Sequence, residues 1–183
     1  MVLVFLKKHS LAIGLTAMVL AVLATLVEPG SLLQKTLFLV AVPTLGLAAF
    51  LDGHKLFFVL QGITTVSAVM AFFTVPDSAK FFLLGFGVIV GFAFLWREKY
   101  FKSDPYWVVG GLGLLGLASG LAMNAVTQPL LFYSFLGLGG LLIAVYSGIQ
   151  FFYLKVRIAG IWLVLNVLFS LNPLLMALSI LGL

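Results

Sequence analysis

Long apolar runs without a single charge constrain this chain more than any other feature. Phe81 to Trp96 and Val108 to Met123 contain no Asp, Glu, Lys or Arg. A helix rises about 1.5 Å per residue, so about 20 such residues cross a hydrocarbon core of roughly 30 Å. The rest of the 183-residue chain is similar, with 63% hydrophobic residues, 8% charged residues and a mean hydropathy of +1.28. These values lie outside the range of soluble domains, and the alternation of a membrane barrel strand is missing. The expected fold class is an all-α integral membrane protein.

Breaking the sequence at Pro, Gly, Asn, Asp and charged clusters gives seven apolar segments, at residues 9–27, 32–51, 56–75, 79–96, 106–126, 129–153 and 158–181. They predict seven transmembrane helices in one bundle over residues 1–183. The connections are short and leave no room for a soluble domain. The stretch WREKYFKSDPYW, Trp96 to Trp107, gathers Arg97, Glu98, Lys99, Lys102 and Asp104 into one loop. Alternating the seven segments across a bilayer places Lys7, Lys8, Lys55, Arg97, Lys99, Lys102, Lys155 and Arg157 on one side, against Lys35 and Lys80 on the other. This asymmetry predicts a cytoplasmic amino terminus and an outer carboxyl terminus in an inner or plasma membrane. In that arrangement Trp96, Tyr100, Tyr106 and Trp107 are interfacial anchors, and Asp104-Pro105 opens the fifth helix as cap and first residue.

The net charge of +5 does not point to nucleic acid, because the basic residues are scattered over several short loops. Membrane lipids are the expected neighbours of these cations. There are no cysteines, so disulfides, thiolate metal sites and cysteine nucleophiles are excluded. The opening MVLVFLKKHS puts an apolar stretch ahead of Lys7 and Lys8, unlike the basic start of a cleavable signal, so the first helix is expected to be retained.

LFFVLQGITT, Leu56 to Thr65, can be laid over IWLVLNVLFS, Ile161 to Ser170, which pairs Gln61 with Asn166. If that similarity reflects duplication, the segments form weak parallel repeats in a 3+1+3 arrangement, with the fourth helix as the link. Such an arrangement resembles the architecture of sugar facilitators of the SWEET type and of the vitamin transporters for nicotinamide riboside. Neither the Pro-Gln pair of the former nor the repeated tryptophan pattern of the latter occurs here, so no ligand or binding residue carries over.

Two small-residue stripes predict close helix packing: Gly87 with Gly91, and Gly113, Gly116 and Gly120. They are candidate faces for a homo-oligomer or another membrane protein. Pro43 and Pro173 should disturb the second and seventh helices, since proline lacks a donor and crowds the carbonyl four residues earlier.

Enzymatic constellations are missing from the pattern. Every acid falls at a segment end or in a loop, which removes an obvious proton relay or a carboxylate cluster for magnesium. His9 and His54 sit at helix starts as interfacial polar residues. No cofactor, no metal and no enzymatic activity are expected. Uncharged polar residues at helical spacing remain: Gln61, Thr64 and Thr65 on the third segment, Tyr146, Gln150 and Tyr153 on the sixth, Trp162, Asn166 and Ser170 on the seventh. They serve either as interhelical hydrogen-bonding glue or as the lining of a pocket. The candidate solute-binding set is Gln61, Thr65, Tyr146, Gln150, Trp162, Asn166 and Ser170. The expected function is facilitated transport or binding of an uncharged or weakly polar solute; the alternative is a structural or accessory subunit of a larger membrane complex.

Overall fold

The computed structural model describes residues 2–28 and 30–183, with side chains from Phe5 onward. The described residues form nine helices and no strand: α1 (Val2–Lys8), α2 (Ser10–Leu26), α3 (Leu32–Asp52), α4 (Lys55–Met70), α5 (Asp77–Arg97), α6 (Tyr100–Ser103), α7 (Trp107–Ala122), α8 (Pro129–Phe152) and α9 (Ala159–Ile180). Nine helices stand against the seven transmembrane helices expected, and that number of crossings is not confirmed by the helix count. The additional two are the short α1, ahead of His9, and the single turn α6 inside the charged loop. Four helices, α3, α5, α8 and α9, are long and apolar enough to cross a membrane, as befits a multi-pass membrane protein. The apolar helices α2, α4 and α7 are shorter.

The differences in length have local causes. α4 stops at Met70 rather than continuing to residue 75, because Phe72 and Phe73 donate tight i−3 bonds to Val69 and Met70 and Val75 precedes a proline, which disfavours helical backbone. α7 stops at Ala122 rather than residue 126. Just beyond it the Asn124 Oδ1 accepts from the Val126 and Thr127 amides at 2.9 and 3.3 Å, a side-chain turn that competes with further helix. α7 also starts later than expected, at Trp107 with Tyr106 as cap. Asp104 is not the residue that flanks α7, but its Oδ1 accepts from the amide of Tyr106, the residue that is, at 2.8 Å. Ser31 does cap α3, accepting from the Gln34 amide at 3.2 Å, while the Gln34 side chain accepts from Gly30 N–H at 2.7 Å. Gly53 ends α3 in the left-handed conformation, the usual place for glycine.

The chain divides into two compact units, residues 1–74 and 75–183. In the first, α3 packs between α2 and α4. In the second, α5 packs on α7, α7 on α8 and α8 on α9. The fourth apolar helix, α5, falls in the second unit, and this division shows no 3+1+3 repeat.

Glycine decides the packing of the second unit. A Cβ added at Gly116 would lie 2.8 Å from the Gly139 Cα, and one at Gly113 would lie 2.9 Å from the Ile143 amide. At Gly120 it would meet Leu136 at 2.8 Å. The stripe read from the sequence as a face for partners is therefore used inside the chain, where it lets the α7 and α8 backbones touch. On another side of α8, Gly137 and Gly140 admit Leu174 and Ser170 of α9.

Candidate functional site

α3 and α4 approach closely where Gly46 faces Gln61: a Cβ on Gly46 would stand 3.2 Å from the Gln61 Cβ. Next to that contact the helices part. Pro43 withholds an N–H from its own helix there, and the Thr44 hydroxyl donates to the Val40 carbonyl at 2.7 Å. The result is an open-sided cleft of about 440 Å³ lined by Pro43, Gly46, Leu47, Phe50, Phe58, Gln61, Gly62 and Thr65. Phe50 and Phe58, with ring centroids 5.5 Å apart, bound it on the side toward the α3–α4 turn.

The polarity of the cleft is concentrated in Gln61, which is 7% exposed. Its Oε1 accepts from the Thr64 hydroxyl at 3.3 Å. The Thr65 hydroxyl turns back to the Gln61 carbonyl at 2.6 Å. The Gln61 Nε2 has no hydrogen-bond partner among the described residues. The residue is buried, but its Nε2 opens on the cleft, where a guest can reach the donor. No lining residue is ionisable, so a charged guest would be desolvated with nothing to offset it. The chemistry on offer is therefore an apolar surface with one directional donor, suited to a molecule carrying a neutral acceptor.

The other five residues of the expected solute-binding set lie in the second unit, in two places. Trp162, Asn166 and Ser170 share the buried face of α9. There the Asn166 amide donates to the Trp162 carbonyl at 2.8 Å, and the Ser170 hydroxyl donates to the Val167 carbonyl at 3.2 Å. These are bonds to their own helix. Tyr146 and Gln150 are drawn to a residue outside the expected set, Asp104.

Asp104 is 6% exposed despite its place in the charged loop. Its Oδ2 accepts from the Tyr100 and Tyr146 hydroxyls, each at 2.5 Å, and from Gln150 Nε2 at 2.9 Å. Its Oδ1 accepts from the Tyr106 amide at 2.8 Å. The two phenols also touch each other, and Gln150 Nε2 lies 2.9 Å from the Tyr146 oxygen. No cation pairs with this carboxylate among the described residues; four donors fill its lone-pair positions instead. Burial first, then the hydrogen bond to Asp104, holds the Tyr100 phenol well above the ordinary tyrosine range. Tyr100 is thus an inward-facing member of the cage and not the interfacial anchor expected of it, whereas Trp96, at 76% exposure, does face outward. Position in a loop hid this carboxylate from the sequence reading. The available signal was the Tyr146/Gln150 pair at i, i+4 near the end of α8, a donor-rich spot that requires an acceptor.

At one end of the first unit Ser10 donates to Asp52 Oδ1 at 3.3 Å, while His54 Nε2 lies 4.0 Å from Asp52 Oδ2. The serine and the histidine approach different oxygens of the same carboxylate. This contact ties the start of α2 to the end of α3. Among the described residues no group of three or more His, Asp or Glu side chains converges to hold a metal ion. No protein-family model, no curated protein and no solved structure matches this chain.

Proposed function

We propose that this is a multi-pass membrane protein that binds an uncharged or weakly polar small molecule in the α3–α4 cleft and passes it across the bilayer by facilitated diffusion. The observation that carries the reading is the Gln61 amide, nine-tenths buried, unpartnered at Nε2 and set in a cleft without ionisable groups. A volume of about 440 Å³ falls within the range of small-molecule sites. The lack of a charged group in the cleft favours passive movement over coupling to an ion gradient. A second reading, an accessory subunit of a membrane complex, draws on the second unit, where Gln150, Asn166 and Ser170 bond within the chain. Obligatory co-purification with another membrane protein would favour it.

The test is a binding screen on the purified protein in lipid nanodiscs, using labelled polyols, monosaccharides and nucleosides as probes. A probe that binds should lose about tenfold in affinity in Gln61→Leu, roughly 1.4 kcal/mol, the scale of one useful hydrogen bond. Asn166→Leu should leave the affinity unchanged, because the Asn166 amide is already engaged on its own helix. Equal binding by wild type and Gln61→Leu across the panel would remove the cleft from consideration.

The same proposal places α2, α3, α4, α5, α7, α8 and α9 as seven crossings, with the amino terminus cytoplasmic and the carboxyl terminus outside. Its support is the distribution of Lys and Arg among the connections. Cysteines introduced at Ser103 and after Leu183 should react with an impermeant thiol reagent from opposite sides of the membrane. Reaction from one side would contradict the odd number of crossings.

A further inference from the structure

Two lysines occupy a backbone conformation that glycine fills elsewhere in this chain. Positive φ occurs, among the described residues, at Gly30, Gly53 and Gly182, and otherwise at Lys99 (54°) and Lys155 (58°). An L-residue meets a steric penalty there that glycine escapes. Lys99 follows the last turn of α5, its amide donating to the Trp96 carbonyl at 3.0 Å. Lys155 follows α8, where the Val156 amide reaches back to the Gln150 carbonyl at 3.0 Å, a helix ending that requires a left-handed residue just before it. Glycine would complete both endings at less strain, so the side chains themselves are what the strain retains.

The Asp104 cage brings both lysines to one end of the second unit. Tyr146 and Gln150, in the last two turns of α8, bond directly to Asp104, so the α8–α9 connection stands beside the loop that follows α5. Arg97, Lys102 and Arg157 are exposed at the same end, where Glu98 is the exposed acid. Charge near the end of a helix dipole does not account for Lys99, since Arg97 already fills that role in the last turn of α5. The loop is also held firm, because the Phe101 ring packs 4.5 Å from Trp107 and 6.0 Å from Phe92. Around the cations Trp96, Phe152 and Tyr153 are exposed, the arrangement of aromatic rings found at the level of lipid head groups.

We infer that this end of the second unit binds anionic phospholipid head groups of the surrounding bilayer, with Lys99 and Lys155 as the principal phosphate-binding residues. Ammonium groups exposed at the bilayer surface meet the phosphodiester, and the exposed aromatic and aliphatic faces below them accept its acyl chains. The interaction is electrostatic and weakens as salt rises.

The experiment reconstitutes the full chain in phosphatidylcholine bilayers and compares its association with spin-labelled phosphatidylglycerol and spin-labelled phosphatidylcholine. Wild type should prefer the anionic lipid by about threefold or more at low salt. The double variant Lys99→Gly/Lys155→Gly should lose that preference while its thermal midpoint stays level or rises, because glycine relieves the left-handed strain. Lys99→Gln/Lys155→Gln should lose it as well, which keeps the test open if the glycine pair fails to fold. Lys80→Gln, altering a cation in the first turn of α5 at its opposite end, should leave the preference intact. Absence of a preference in wild type, its survival in either double variant, or an equal loss in Lys80→Gln would overturn the assignment.

Discussion

Asp104→Ala should destabilise the protein by about 3 kcal/mol, the largest loss expected from a single side-chain truncation. The carboxylate is the common acceptor of two phenols, one side-chain amide and one backbone N–H, all packed at the junction of the charged loop with α8. Hydrogen bonds to a charged group contribute about 1.5–3 kcal/mol each, and their buried donors are costly to leave without an acceptor. Part of the loss is recovered, because Tyr100 and Tyr146 still touch each other, as do Gln150 and Tyr146. Asn in place of Asp offers little relief, since its NH2 group would turn a donor toward donors. For a chain of this size the midpoint of thermal unfolding in detergent should fall by roughly 10 °C. Tyr146→Phe, which removes one donor, should cost about 1 kcal/mol. If Asp104→Ala proved no more harmful than Tyr146→Phe, the cage would not be the structural centre described.

Gly116→Ala and Gly139→Ala should each destabilise by about 1–3 kcal/mol, although alanine is the better helix former. At Gly116 the new methyl would meet the Gly139 Cα at 2.8 Å. At Gly139 it would meet the Leu117 amide, with the Gly116 carbonyl carbon at 2.8 Å and the Gly113 carbonyl oxygen at 3.0 Å. These are backbone atoms, so only separation of α7 from α8 makes room. Gly85→Ala on α5 is the internal comparison, because nothing lies within 4 Å of its new Cβ, and it should be neutral or stabilising by up to about 1 kcal/mol. Thermal unfolding of the three variants side by side checks the contrast. A loss at Gly85 as large as at Gly116 would mean that the α7–α8 contact is not specifically close.

The apolar helices were legible because periodicity plays no part in recognising them: long runs without charge, such as Phe81 to Trp96, mark a helix whichever face is buried. Their ends were less legible, since the turn at Asn124 and the tight bonds at Phe72 and Phe73 depend on side-chain and backbone geometry that hydropathy does not register. Gln61 and Thr65 were readable as a polar pair on one face. The cleft beside them was not, because it depends on Gly46 admitting Gln61 and on Pro43 one turn away. Asp104 was misread for a related reason. Its burial is set by Tyr146 and Gln150, more than forty residues onward, and a residue's place in a charged loop says nothing about contacts at that separation. The stripe of Gly113, Gly116 and Gly120 announced close packing, but sequence alone could not separate a partner within the chain from a partner outside it.

The central claim is that Gln61 presents a free amide donor to a molecule bound between α3 and α4. A high-resolution electron cryomicroscopy structure of the protein in lipid nanodiscs, prepared with the best probe from the binding screen, tests it most directly. The account predicts non-protein density in the cleft beside Phe50 and Phe58, with a polar atom about 2.7–3.2 Å from the Gln61 Nε2. A cleft closed by side chains, or filled by an acyl chain while the Gln61 Nε2 is hydrogen-bonded within the protein, would contradict it.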